Sequence, residues 1–353
     1  MKIVMTGGGT SGHITPNIAL FDILKKKGFD ISYIGTAEGI ENTLISKTDV
    51  PFYTIKAGKL RRYIDFQNIK DIGRIVKGYF GAERILRKIK PDVVFSKGGF
   101  VSCPVVWAAK RMGIPVVLHE SDITPGLANK LCLPFADKVC YAFKKTGEHL
   151  PQDKSVYTGL PVREELLNGN RENGLKFLGF SGDKPVLTLM GGSLGSEYLN
   201  GLLRTNLSKL TEIFDICHLC GKGNIDESLI NVSGYAQYEY VNKELSDVMA
   251  ATDFFVSRAG ATAIFEFLAL NKPMLLIPLS KRASRGDQID NSKAFKEQGY
   301  AEYVEEESLT PQNFYEIILN TYKDRDKYKI SQSGFSSSES AEKIADIILS
   351  VIK

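Results

Sequence analysis

Several features that would place a chain outside the ordinary soluble enzymes are missing here. No apolar run reaches the roughly 18 residues of a membrane-spanning helix. The opening Met1-Lys2-Ile3-Val4-Met5 goes straight into a strand pattern without the apolar stretch of an export signal, so a cytoplasmic start is expected. The five cysteines, at 103, 132, 140, 217 and 220, are odd in number and follow no framework spacing, which excludes a disulfide scaffold and leaves thiols in a reducing compartment. Cys217-His218-Leu219-Cys220 looks like half of a metal site, but no second pair accompanies it, and a strand would point the two cysteines to opposite faces. No metal and no cofactor is expected. Long repeats and low-complexity tracts are absent apart from the serines at 336–338.

What remains is a chain of 353 residues with 43% hydrophobic and 24% charged residues, enough for two ordinary globular domains. Its charge is unevenly divided. Residues 1–163 carry a net charge of +11 and the remainder −7, and residues 56–90 alone carry +8. Such asymmetry points to an acidic partner, either nucleic acid or an anionic membrane surface. Within the basic segment Phe66, Ile69, Ile72, Val76, Tyr79 and Phe80 recur at helical spacing, with Lys70, Arg74, Lys77, Arg84, Arg87 and Lys88 between them. Core packing explains such a stripe as readily as a surface does. The further cations of Lys59-Leu60-Arg61-Arg62-Tyr63 favour a helix pressed onto anionic lipid, and no nucleic-acid module is visible.

Short β-branched runs at 3–5, 31–34, 93–95, 116–118 and 139–141 alternate with helical stretches such as 18–27 and 101–111, the rhythm of a doubly wound parallel sheet. The rhythm restarts with runs at 186–190, 216–219, 238–241, 254–256 and 274–277, and a last helix is expected over 339–352. The fold class expected is therefore α/β, two such domains in tandem, divided near Thr158-Gly159-Leu160-Pro161-Val162-Arg163.

The first strand opens into Gly7-Gly8-Gly9-Thr10-Ser11-Gly12-His13 and a helix that Pro16 could start. Glycines let backbone N–H groups approach a ligand, and a helix N-terminus favours an anion. Gly7, Gly9 and Gly12 formally fit a dinucleotide fingerprint, yet the acid that such a site wants after the second strand is met only by the late Glu38. A tight structural turn and a loop approaching a sugar, diphosphate or polar acceptor are the other readings. Gly191-Gly192-Ser193-Leu194-Gly195 repeats the device, making a phosphate site in each half plausible, facing a common cleft. In Arg258-Ala259-Gly260-Ala261-Thr262-Ala263-Ile264-Phe265-Glu266 a strand meets a helix of small residues, with a carboxylate suited to both hydroxyls of a ribose. Of the four histidines, His149 and His218 read as structural and His119 as structural or functional. His13 ends a glycine loop near a helix N-terminus that disfavours its cation, which suits a proton acceptor.

Taken in order, residues 7–13, Ser96-Lys97-Gly98-Gly99-Phe100-Val101, His119-Glu120-Ser121-Asp122, residues 191–195, residues 258–266 and Arg285-Gly286-Asp287-Gln288 resemble the MurG family, the UDP-N-acetylglucosamine transferases that turn lipid I into lipid II in peptidoglycan synthesis. The resemblance covers nearly the whole chain. It implies two Rossmann-like domains of the glycosyltransferase B fold: an acceptor and membrane-associating domain over 1–162, onto which the C-terminal helix at about 339–353 packs back, and a UDP-sugar domain over 163–338. Carried over, Thr10, Ser11 and Gly12 line the sugar side of the cleft and Arg163 meets the donor. Ser193 binds the diphosphate, Glu266 the ribose and Gln288 the sugar. Asp122 and Asp287 belong to the same substrate-binding set and place a carboxylate where many members have an amide; Asn291 is retained. The implied reaction is inverting transfer of GlcNAc from UDP-GlcNAc to the C4 hydroxyl of the MurNAc of lipid I, with His13 as general base, Asp122 or Glu120 next in line, and no metal at the diphosphate. The enzyme is then peripheral on the inner face of the bacterial cell membrane. The rivals are a transferase of the same fold acting on diacylglycerol, and a non-catalytic nucleotide-binding protein.

Overall fold

In the computed structural model, residues 1–58, 67–192, 195–282, 284 and 286–352 are described, those at 67–72 by backbone alone. The chain divides into two compact units, Met1–Arg163 with Ser337–Lys353, and Glu164–Ser336. The first holds β1 (Lys2–Thr6), β2 (Asp30–Gly35), β3 (Phe52–Thr54), β4 (Val93–Ser96), β5 (Val116–Glu120), β6 (Lys138–Tyr141) and β7 (Ser155–Tyr157). The second holds β8 (Val186–Met190), β9 (Asp215–Leu219), β10 (Tyr235–Tyr238), β11 (Phe254–Ser257), β12 (Met274–Leu276) and β13 (Glu302–Tyr303).

Every strand pairing is parallel. The orders are β3-β2-β1-β4-β5-β6-β7 and β10-β9-β8-β11-β12-β13. Both reverse direction beside their first strand, between β1 and β4 and between β8 and β11, which is where doubly wound sheets of the Rossmann type bind ligands at the carboxyl ends. The central strands read as continuous apolar runs because helices cover both faces. Accordingly, β4 and β5 are buried along their whole length.

Each sheet carries one apolar cluster per face. Ile344, Ala345 and Ile348 of the last helix, Ser337–Ser350, pack into the first unit's core with Leu20, Leu24 and Phe29. That helix lies two residues earlier than its apolar pattern suggests. The expected helix over 18–27 is interrupted into Thr15–Ile18 and Phe21–Lys26, where Leu20 N bonds Asn17 O in a tight turn. The strand expected at 238–241 is β10, three residues earlier. Its Gln237 binds Arg204 and Asp226, a polar residue that breaks the hydropathy pattern.

The long helix Gln67–Ile89 buries Ala82 and Leu86 in the apolar cluster with Val4, Ile34 and Val94, and Gly78 beside Lys56 and Pro104. Gly78 has no room for a Cβ because the Lys56 carbonyl lies against it. Val76 and Phe80 face outward, 49% and 62% exposed, beside exposed Arg74 and Lys77. Of the proposed lipid-facing groups, Lys59, Leu60, Arg61, Arg62, Tyr63 and Phe66 lie outside the described residues, as do the side chains of Ile69, Lys70 and Ile72. No helix among the described residues is long and apolar enough to cross a membrane.

Candidate active site

In the first unit the loop after β1 is held from behind by a buried network. Tyr33, from β2, donates its hydroxyl to Gly7 O at 2.8 Å and accepts from Asn17 Nδ2 at 3.0 Å. Asn17 Nδ2 also reaches Thr6 O at 3.3 Å and His13 O at 3.5 Å. Burial pushes the Tyr33 phenol well up, so the hydroxyl stays a donor. Gly9 takes a positive φ of 91°, and Gly99, from the loop after β4, packs against the Gly8 backbone with a φ of 83°. Thr10 is exposed at the loop tip, and Ser11, Gly12 and His13 form the half-buried 3₁₀ turn Ser11–His13. The helix that follows, Thr15–Ile18, is a single turn. The helix-dipole argument for a neutral His13 therefore has little helix behind it.

The loop after β5 carries the other expected acceptor-side group. Glu120 is engaged by its own loop: its carboxylate accepts from Asp122 N at 3.0 Å, Gly126 N at 3.0 Å and Asn129 Nδ2 at 2.8 Å. Its carboxylate thus holds the loop that carries Asp122. The half-buried Asp122 is fixed further by Thr146, whose hydroxyl donates to Asp122 O at 3.1 Å. His119 is wholly buried, its Nε2 3.0 Å from Gly159 O, and burial with the nearby Lys97 charge holds its pKa far down. It is a neutral structural link between β5 and the end of β7.

Lys97 lies in one of the motifs, yet the motif reading gives it no role of its own. Only 1% exposed, it donates to Ser121 Oγ at 2.6 Å. Burial pushes it down to about 8, against the opposing pull of Glu120 and Asp122. The carboxylates of Glu120 and Asp122 thus both act electrostatically on a buried lysine in their own domain. A lysine at the end of an all-buried strand run was the available signal.

In the second unit the loop after β8 is described up to Gly192 and from Gly195; Ser193 lies outside the described residues, as does Arg285. Among the described residues, a Cβ at Gly192, which has a φ of 93°, or at Gly260 would meet nothing within 4 Å. Ser196 starts the helix Glu197–Thr205, accepting from Leu199 N, and receives Arg258 Nη2 at 2.8 Å. Arg258 is buried, donates to Ile277 O and Pro278 O, and pairs with Glu306. One side chain therefore ties together the loops after β8, β11 and β12.

Glu266 is 8% exposed on helix Ala261–Ala269, so it is not a solvated surface acid. Gln288 Oε1 accepts from Ala259 N at 3.3 Å and Leu279 N at 3.1 Å, which leaves Nε2 as the donor for a ligand. Asn291 Nδ2 donates to Ala259 O at 3.2 Å. Asp287 opens the helix Asp287–Glu297 and is half-buried. Arg163, half-buried, ends the first unit's main segment.

His218 is buried between Tyr235 OH, 2.7 Å away, and Asn200 Oδ1, 2.9 Å away, and His149 is exposed. Cys217 and Cys220 are buried free thiols. The expectation of a metal-free diphosphate has to contend with the chain's one Asp-x-Asp, Asp324-Arg325-Asp326. It sits at the junction of helices Pro311–Lys323 and Arg325–Gln332, its carboxylates 58% and 75% exposed and paired with Lys327 at 3.7 Å and Arg325 at 4.0 Å. It is a charged helix junction.

The sequence matches the glycosyltransferase family 28 N-terminal domain over residues 3–141 and the glycosyltransferase family 28 C-terminal domain over residues 186–348. It is 53% identical over 343 residues, 97% of each chain, to a Bacillus cereus protein named UDP-N-acetylglucosamine–N-acetylmuramyl-(pentapeptide) pyrophosphoryl-undecaprenol N-acetylglucosamine transferase 2. A Clostridium botulinum transferase of that name is 50% identical over 352 residues, covering 100% of this chain and 98% of its own. The crystal structure of Acinetobacter baumannii MurG aligns over 99% of both chains with a TM-score of 0.76 at 24% identity, a likeness of glycosyltransferase B fold. Sequence and fold agree: the chain belongs to glycosyltransferase family 28 and, within it, to the MurG family of N-acetylglucosamine transferases.

Proposed function

We propose that the chain transfers GlcNAc from UDP-GlcNAc to lipid I, giving lipid II for peptidoglycan synthesis. The observation that carries this is identity of 50% and above along the full length of transferases with that printed activity. In this reading the C4 hydroxyl of MurNAc attacks the anomeric carbon of GlcNAc as the bond to the diphosphate oxygen breaks. A single displacement converts the α donor to a β-1,4 product. His13 takes the hydroxyl proton, and Thr10, Ser11, Gly12 and Asp122 line the acceptor side. Ser193 and the backbone N–H groups of the second loop stabilise UDP as it departs, Arg163 meets the donor, Glu266 accepts the ribose hydroxyls, and Gln288 Nε2, with Asp287 beside it, holds the sugar.

The first unit also works at the inner face of the cell membrane, since a polyprenyl-linked acceptor stays in the bilayer. Exposed Val76 and Phe80 with Arg74 and Lys77 support that reading. His13→Ala separates transfer from mere binding: kcat falls by roughly 10² to 10⁴ while UDP-GlcNAc affinity holds. Near-normal turnover in that variant sinks His13 as the base, and a wild type that binds UDP-GlcNAc without turnover sinks the enzyme.

A further inference from the structure

Glu41 is wholly buried beneath the first glycine loop. It lies in the first turn of helix Ile40–Ile45, where Oε1 accepts from Thr36 N at 3.0 Å and Thr36 Oγ1 at 2.5 Å, and Oε2 from Gly9 N at 3.3 Å. Gly8 and Gly39 face this carboxylate, and Gly35 faces the Glu41 Cγ and the Phe52 ring, so that a Cβ at any of the three would collide. Three glycines, from a loop, a strand end and a helix start, thus make room for one side chain. A buried carboxylate is costly unless donors compensate it, and here the donors are the loops themselves.

A glycine turn after the first strand, with one residue at positive φ, is the backbone form that takes a phosphate in many α/β proteins. In this loop the Gly9 N–H is already directed at the chain's own anion, whose charge repels a second one. The second unit differs. Behind its glycine loop stands the guanidinium of Arg258 on Ser196, and among the described residues nothing lies within 4 Å of a Cβ at Gly192 or Gly260.

We infer that Glu41 is an internal anion filling the phosphate-type seat of the first glycine loop, a positioning residue that fixes Gly9 and with it the course of residues 10–13. The first loop then presents His13 to the acceptor with its Gly9 N–H already committed to Glu41 rather than to a ligand phosphate. The inference rests on the reading of His13 as the base.

Its test is transfer from UDP-GlcNAc to a lipid I analogue by Glu41→Ala and the volume-conserving Glu41→Gln, with and without sodium formate as a small carboxylate to refill the seat. In Glu41→Ala, kcat is expected to fall at least about 10-fold, KM for UDP-GlcNAc to stay within about 2-fold, and formate to restore much of kcat. Wild-type kcat in Glu41→Ala, or a loss that formate leaves untouched, overturns the inference. Should Glu41→Ala not fold, a kcat loss at constant KM in Glu41→Gln supports it and wild-type kcat there overturns it. His13→Ala is measured alongside. Normal turnover in that variant removes the reading beneath the inference, whereas an inactive His13→Ala beside a wild-type Glu41→Ala removes the inference alone.

Discussion

Glu266 and Gln288 illustrate how much a side chain's surroundings decide what it can do. A carboxylate buried on a helix that starts at an open glycine can accept two hydroxyl donors at once, and removing it costs the range of a charge-assisted hydrogen bond. Glu266→Ala is expected to weaken UDP binding by about 1.5–3 kcal/mol in calorimetry; unchanged affinity takes Glu266 out of the nucleotide site. The type and order of such residues are legible in the sequence, their partners much less so. Nothing in the linear text says that Glu120 is engaged by Asp122 N, Gly126 N and Asn129, or that Gln288 has its carbonyl clamped by two backbone N–H groups. The roles of Lys97, which a motif contains, and of Glu41, which none does, are hidden for the same reason. Each matters through burial and a neighbour from another strand's loop, and both are properties of packing.

At the scale of elements, the central strands are easy to find because parallel strands buried on both faces are uniformly apolar. The short outer strands β3, β7 and β13, of 3, 3 and 2 residues, carry too little pattern to be seen. The basic helix is a mixed case. Of its expected apolar stripe, Val76 and Phe80 face outward and Tyr79 is half-buried, while the buried face is made by Gly78, Ala82 and Leu86 outside that stripe. In the proposed membrane attachment the outward pair would supply the salt-resistant part and the cations the salt-sensitive part, screened over about a Debye length. Phe80→Glu together with Val76→Glu should abolish the salt-resistant binding to anionic vesicles in co-sedimentation without lowering the melting temperature. Undiminished binding at high salt removes this face from the membrane.

In the second unit, the strand β9 brings a pH dependence. Burial, aided by the Arg204 charge, pushes His218 down to about 3 from an ordinary 6.5, between the Tyr235 hydroxyl and Asn200. Below the unfolded value the unfolded chain takes up a proton that the folded unit refuses. The stability this group contributes is therefore full above pH 6.5 and is lost as pH falls towards about 3. Denaturant midpoints followed by a second-unit probe should decline across that window, and His218→Gln should flatten the decline. An identical slope in wild type and variant contradicts the assignment.

For the whole molecule, two sheets of the same strand order carry glycine loops at the same topological place, yet the chemistry behind them is opposite. A buried carboxylate lies under the first and a buried guanidinium behind the second. In the proposed transfer that difference would separate an acceptor half from a donor half, and it was not visible in the repeated glycine motif. The account stands or falls on the acceptor. Labelled UDP-GlcNAc should be incubated with the protein and, side by side, a lipid I analogue and diacylglycerol in identical vesicles. The expected result is UDP release with a β-1,4-linked GlcNAc–MurNAc product from lipid I and none from diacylglycerol. Label in diacylglycerol, or UDP-GlcNAc bound and unconsumed beside lipid I, would contradict it.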